Sequence, residues 1–321
     1  MGKFWVKRLL VALLFILFFS QAYSLLFFHS LSFDEHAHVA SGYVYLKTGR
    51  FPGGWNNPPF GQTLLGLPYG LGFFDYHPET GVPPYAGRAV NVLLAIFLGL
   101  GIYSFSKTLF GPWGGLLSLA LFTFSPLIVA YSTIATTDLP VSVFPLFFLY
   151  CLYLVYRDQK TLWLIPAGAF LAFSAGCKNN ALIIVAFAPF ILLGPSVKEK
   201  EKTTTYLRNL FILFFSAWFF FCATHCFHGC FENKPKVNFK PLQLLAPILP
   251  TKAVESVASH LDIAAHGRET YFLGQHKMDG FLSYYPLMFL MKSPLGTLLL
   301  FFLFLCFLIV SRQRDFLAEL H

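Results

Sequence analysis

The sequence predicts an all-α polytopic membrane protein, a bundle of about eight transmembrane helices with two long outer loops that carry interfacial helices. Three observations predict it. Of 321 residues, 56% are hydrophobic and only 12% charged, against about 25% charged in a soluble domain, which leaves too little polar surface to keep a globule dissolved. Aromatics reach 19%, with 40 Phe, and mean hydropathy is +0.62. The apolar residues also fall in long runs, and a helix needs roughly 20 such residues to cross ~30 Å of hydrocarbon. A soluble enzyme, a disordered chain, a collagen and a disulfide scaffold are excluded.

The runs give eight spans: 9–29, 89–106, 113–131, 141–156, 161–177, 181–195, 209–229 and 284–310. The fifth and sixth are separated only by Lys178-Asn179-Asn180, so they read as a helical hairpin with a polar tip. The first lacks a small-residue cleavage site and reads as an anchor rather than a signal peptide.

Orientation follows from the loops. Lys3, Lys7 and Arg8 precede the first span. The segments on that side, 1–8, 107–112, 157–160, 196–208 and 311–321, hold 12 basic and 5 acidic residues, against 11 and 10 elsewhere. Nearly all of the +8 net charge thus falls on one side. Short basic loops face the cytoplasm, so both termini are expected there, in a multi-pass protein of a bacterial inner membrane. The basic excess reads as topology, not as nucleic-acid binding. The chain is expected to form a single membrane domain, 1–321, with a first outer loop at 30–88 and a second at 230–283. Loops of such length usually carry function or structure of their own.

The first loop opens with Ser32-Phe33-Asp34-Glu35-His36-Ala37-His38. Ser32 and Glu35 fit a capping box, so a helix starts here and runs to about Gly49. Asp34 and His38, four apart, share a face. A carboxylate beside a His at the membrane boundary can act as a general base on a hydroxyl. In the structural alternative, Glu35 only caps and Asp34 only favours the positive helix end. A Gly- and Pro-rich stretch follows at 49–59, then a 13-residue apolar run, Gln62 to Phe74, too short to span and suited to the interface.

Cations are candidates for an anionic headgroup. Lys178, at the hairpin tip, is costly near the membrane unless paired or hydrated, and a lipid phosphate would supply that partner. Arg88, Arg268 and Lys292 come second, with snorkelling or pairing as alternatives. Asp138 reads either as a helix cap or as a site residue, and Tyr285 either as a sugar-stacking ring or as part of an aromatic belt. Cys222, His225 and Cys226 share a helix end in a pattern more like a weak soft-metal site than a disulfide; unpaired thiols are the alternative. No convincing metal motif for catalysis is present, and the sequence leaves a divalent metal open.

The order of motifs resembles a known family. Phe33-Asp34-Glu35 with His38, Gly42-Tyr43, Thr48-Gly49 and Pro58-Pro59 is similar to the first outer loop of polyprenyl-phosphate-sugar-dependent glycosyltransferases, the bacterial relatives of dolichyl-phosphate-mannose-protein mannosyltransferases of family 39. Gly87-Arg88, Leu109-Phe110-Gly111, Ser125-Pro126, Ala135 to Pro140, Gly176-Cys177-Lys178, Tyr271 to Gly274, Tyr284-Tyr285-Pro286 and Lys292 to Leu295 continue it in order. Asn56-Asn57 stands where relatives more often place an acidic residue or a His before Pro-Pro. The resemblance implies a GT-C-like fold and a catalytic first outer loop, with Asp34 as the catalytic acidic residue and Glu35 orienting the acceptor or sharing the role. It implies hexosyl or pentosyl transfer, with inversion, from a lipid-linked donor, a polyprenyl-phosphate sugar, to a hydroxyl acceptor on a protein, lipid or glycan. Membrane lipids are expected partners and nucleic acid is not. Against that family the chain reads as C-terminally short. No nucleotide-binding glycine loop is present, which argues against a nucleotide-sugar donor. A lipid-linked-sugar transporter or flippase is the second reading, and a truncated, non-catalytic partner subunit the third. A transporter predicts charged or broken helices at midplane, whereas most polar residues here lie in the outer loops.

Overall fold

Gly and Pro set the punctuation of the apolar runs, and the computed structural model follows them closely. It describes residues 2–52, 57–196, 202–231, 239–267, 269–278 and 280–319. Helix α1 (Gly2–Phe28) is followed by α2 (Glu35–Thr48), which stops at Gly49 in the left-handed conformation, φ 67°. Helix α3 (Pro59–Gly70) starts on a proline, which has no N–H to leave unsatisfied. Helix α4 (Tyr85–Thr123) is two arms joined at Gly111, whose φ of 75° breaks the helix. The second arm folds back on the first, so that a Cβ on Gly115 would meet Tyr103 and Lys107. Ser125, extended before Pro126, separates α5 (Pro126–Ser132) from α4.

Helix α6 (Asp138–Asp158) joins two cores. On one side its Val143 and Phe144 pack with Phe18 and Ala22 of α1 and with Val92 and Phe122 of α4. On the other, its Phe148 and Leu152 meet Leu171 of α7 (Leu164–Cys177), Leu192 of α8 (Leu182–Ser196) and Leu213 of α9 (Lys202–Thr224). Helices α7 and α8 lie on either side of the Lys178 tip, but they touch each other little, and α7 packs mainly against α6 and α9 rather than as a closed hairpin with α8.

The second long loop holds α10 (Lys240–Leu245), the amphipathic α11 (Thr251–His266), and a two-stranded antiparallel ribbon, β1 (Thr270–Phe272) with β2 (Gln275–Lys277), in register Tyr271 to His276. The ribbon is a small exception to the all-α expectation. Helices α12 (Tyr284–Lys292) and α13 (Leu295–Glu319) end the described chain.

Each of the eight expected spans falls on a helix or a helix pair, but eight crossings are not confirmed. Among the described residues, four helices are long and apolar enough to cross a membrane: Trp5–Phe28, Tyr85–Thr123, Asp138–Asp158 and Thr203–Thr224. The run 284–310 is not one straight span. Ser293 is extended before Pro294, and α12 and α13 meet at 116°; a residue preceding proline is pushed out of the helical region.

Candidate functional site

The site is built where α2 and α3 cross. Gly42 and Gly66 face each other there, and a Cβ on either would collide with the backbone of the other helix. This close approach holds the N-terminal end of α2 against the 133–138 turn and the Lys178 tip. Gly61 of α3 packs against Thr137 and Cys177, and Gly176 against Phe60. Val39, Leu65, Tyr69 and Ala135 form the apolar floor.

Two ion pairs share this region. Glu35 and Arg88 are both fully buried. Arg88 donates Nε and Nη2 to the two carboxylate oxygens, each at 2.7 Å, and gives its remaining donors to the carbonyls of Leu26, His29 and Ser30. Glu35 also accepts the N–H groups of Ser32 (2.8 Å) and Ala135 (2.8 Å). Burial alone would raise its pKa; the hydrogen bonds from Arg88, Ala135 and Ser32 outweigh that and hold it below the ordinary carboxylate value. Ser32 thus receives its half of the expected capping box from Glu35, while no side chain caps the start of α2. With every donor and lone pair engaged, Glu35 and Arg88 tie the end of α1, α2, α4 and the 133–138 turn together and present nothing to a ligand.

The second pair is open. Lys178 Nζ donates to Asp138 Oδ1 at 2.5 Å, and both side chains are partly exposed. Asn91 donates to the carbonyls of Ile134 (2.7 Å) and Thr136 (2.9 Å) and so pins the turn that carries Asp138. Asp34, one residue before the clamp, is exposed. His38 lies within electrostatic range of Asp34, Asp138 and Lys178. Its pKa is lowered, first by burial, and the two carboxylates do not reverse this. Gln62 Nε2 donates to its Nδ1 (3.2 Å).

Asp34, His38, Asp138 and Lys178 therefore gather at one end of the bundle, with Arg88 beneath them. Tyr285 and Lys292 lie on α12, both exposed, and among the described residues no hydrogen bond or ion pair ties either to Asp34 or Lys178. Arg268 lies outside the described residues. The soft-metal pattern does not form a site: no three His, Cys, Asp or Glu side chains converge on a metal position among the described residues. Cys222 Sγ turns to the carbonyl of Ile248, and His225 Nδ1, in the turn after α9, turns back to Phe221 O of that helix. Sequence reasoning passed over Gln62, Asn91 and Asn179. Each is a polar residue inside or at the end of an apolar run, which is the signal that would have found them. Asn179 Nδ2 joins Ser256 (2.7 Å) and His260 (2.9 Å), docking α11 against the Lys178 tip.

Two apolar grooves lie in the bundle, and neither is lined by Asp34, His38, Asp138 or Lys178. One, of about 830 Å³, runs between α1 and the start of α4, from Phe19 to Tyr76. The other, of about 460 Å³, is bounded by Ala175 and Leu182 on either side of the Lys178 tip and by Phe214 and Val257 opposite.

Fold and site together define a helical membrane protein with an acid–base and cation cluster at one end of its bundle. Residues 80–221 match the family model described as dolichyl-phosphate-mannose-protein mannosyltransferase. The match takes in Arg88, Asp138 and Lys178 and ends before Cys222. It agrees with the resemblance read from the sequence and supports a membrane glycosyltransferase of mannosyltransferase-like type. No curated protein and no solved structure matches the chain.

Proposed function

We propose that the chain transfers a sugar from a polyprenyl-phosphate carrier to a hydroxyl acceptor at the outer face of the membrane, with inversion at the sugar carbon. The observation that carries this reading is the placement of an exposed carboxylate, Asp34, and a half-open cation, Lys178, around the same histidine, within a chain whose central segment matches the mannosyltransferase family.

The chemistry balances with these groups. The acceptor oxygen attacks the anomeric carbon, the bond from that carbon to the phosphate oxygen breaks, and the electron pair leaves with the lipid phosphate. Asp34 takes the acceptor proton as the new bond forms. Lys178 neutralises the charge that grows on the phosphate, and Asp138 holds the ammonium in place until the donor arrives. The apolar groove lined by Ala175, Leu182 and Val257 takes the first prenyl units, since Ala175 and Leu182 lie three and four residues from Lys178 along the chain. Glu35 and Arg88 act as positioning residues, fixing the start of α2 so that Asp34 faces the cluster.

The test is transfer of label from a polyprenyl-phosphate sugar, with wild type compared with Asp34→Asn and Lys178→Ala in lipid nanodiscs. Loss in both variants, with folding intact, supports the reading. Full transfer by Asp34→Asn removes the base assignment.

A further inference from the structure

Gln62 is a fully buried amide, and the other buried positions of α3 are proline, glycine, leucine and tyrosine. The proposed transfer has so far given it no part. A buried polar side chain in such a helix calls for a reason, and its surroundings supply one.

Its place is set by glycines. On α2, Gly42 lies one turn after His38, on the same face. The Gln62 carbonyl rests against Gly42 so closely that no Cβ fits between them. The Gln62 side chain then needs to reach back only one turn of α2, and its Nε2 meets His38 Nδ1 at 3.2 Å. The residue before it, Gly61, packs against Thr137 and Cys177, the neighbours of Asp138 and Lys178. The Gly61-Gln62 step of α3 therefore touches all three segments that carry the cluster: the first turns of α2, the Asp138 turn and the Lys178 tip.

An amide nitrogen only donates. His38 Nδ1 is thus the acceptor, and in the neutral ring the proton sits on Nε2, the remaining nitrogen. The ring is 6% exposed. Burial disfavours its cation and Lys178 acts with burial, while the carboxylates of Asp34 and Asp138 act against it without prevailing. The Gln62 amide works in the same direction as burial, because its bond to the Nδ1 lone pair is lost when that nitrogen is protonated. An Nε2–H needs an acceptor. The Lys178 ammonium is none. Asp34 is a carboxylate four residues before His38 on the same face of α2, and of the charged groups that act on the ring it acts most strongly.

We propose that Gln62 and His38 are positioning residues: Gln62 holds His38 neutral with its proton on Nε2, and His38 donates that N–H to one carboxylate oxygen of Asp34, leaving the other for the acceptor hydroxyl. The assignment rests on the transferase reading above. A neutral donor suits the task. A cationic His38 would make Asp34 a weaker base and would compete with Lys178 for Asp138.

The test uses the full chain in lipid nanodiscs. Imidazole NMR on protein carrying isotope-labelled histidine separates the two neutral tautomers from each other and from the cation, and the His38 signal is assigned by its loss in His38→Gln. Consumption of labelled polyprenyl-phosphate hexoses and a pentose is followed against pH, with methyl mannoside and water as hydroxyl sources. The wild-type ring is expected to be neutral at about pH 7, with the proton on Nε2. In Gln62→Glu the carboxylate accepts from Nδ1–H, so the ring becomes cationic and titrates at higher pH. There kcat at about pH 6.5 is expected to fall about tenfold or more and to recover as the pH rises, with a smaller change in the donor KM. Gln62→Met removes the amide without adding charge; it is expected to move both readouts the same way by less, and it keeps the test usable should a buried carboxylate prevent folding. The proposal is overturned by a wild-type ring with its proton on Nδ1, or by folded Gln62 variants that leave the His38 titration and the pH profile unmoved, as a packing role alone would. Donor consumption with the proton on Nδ1 overturns this assignment and leaves the transferase reading standing. No donor consumption by wild type sinks the transferase reading itself, whichever tautomer is found.

Discussion

Glu35–Arg88 and Lys178–Asp138 are ion pairs of the same charge types in one region, and they have opposite characters. The first is fully buried and saturated: two bonds within the pair, three backbone carbonyls on Arg88 and two backbone N–H groups on Glu35. The second is a single contact between side chains 28% and 42% exposed. A buried charge pair surrounded by backbone partners fixes geometry and exchanges with nothing. A half-open pair can trade its partner for a substrate phosphate. The difference identifies framework and chemistry without reference to sequence position, since the framework Glu35 and the proposed base Asp34 are adjacent residues.

The sharpest way to break this comparison is to open the buried pair. Glu35→Ala leaves Arg88 charged and uncompensated, and breaking such a pair costs about 3–5 kcal/mol. Thermal unfolding in nanodiscs is expected to drop steeply, or the protein to fail to accumulate. An unchanged melting temperature would show that the clamp is not structural.

The next effects are on rate rather than on folding. Asp34→Asn is expected to lower transfer by about 10²–10⁴-fold, the range for removal of a general base. Lys178→Ala is expected to lower it by about 10²–10³-fold, the range for removal of one transition-state donor. Neither should move the melting temperature much, because Asp34 is exposed and Lys178 half-open. A large loss of stability in either would erase the contrast between the two pairs.

Much of this arrangement was legible in the sequence, for physical reasons that differ by element. The helix positions within the apolar runs follow from hydropathy, though only four helices are long and apolar enough to cross a membrane among the described residues, and Gly49 announces the end of α2 because only a left-handed residue turns the chain there. The Gly176-Cys177-Lys178 tip and the Asp138 turn were visible as polar breaks. The break between α12 and α13 was also written in the chain, at Ser293-Pro294, yet apolar residues on both sides hide it from a hydropathy window. The partner of Glu35 was not legible. Arg88 is 53 residues away, and the two meet where Gly87 at the start of α4 packs against Val39 of α2 and Leu65 of α3. The two carboxylates Asp34 and Glu35 look alike in sequence, and one step around the start of a helix decides which is buried.

Acid titrates the region unevenly. The His225 pKa is depressed to about 4, mainly by burial. A group depressed in the folded state adds stability that is fully present above its unfolded value, about 6.5, and that is lost as pH falls toward the folded value. The window is therefore about pH 6.5 to 4, and the loss is on the order of 3 kcal/mol at most. His38, also depressed by burial, acts in the same direction. Glu35 follows below its own ordinary range, because its lowered pKa keeps it charged until the medium is more acidic still. Melting temperature against pH is expected to fall across this window in wild type and to fall less in His225→Phe. Parallel curves for the two would remove His225 from the account.

The smallest effect comes from a third pair, which calibrates the other two. Lys252 and Glu255, three residues apart on α11, approach to 3.6 Å with side chains 22% and 49% exposed. The contact is longer than that of Lys178–Asp138, it lacks backbone partners of the kind that surround Glu35–Arg88, and water screens it. Exposed pairs of this kind contribute about 0–1 kcal/mol, and less at high salt. Glu255→Gln is therefore expected to change the melting temperature by no more than the scatter between preparations, at low and high salt alike. If it instead destabilises the protein as much as opening the buried clamp does, burial and backbone saturation are not what separates the framework pair from the chemical one. The ranking of all three pairs would then have to be rebuilt on how α11 packs against the Lys178 tip.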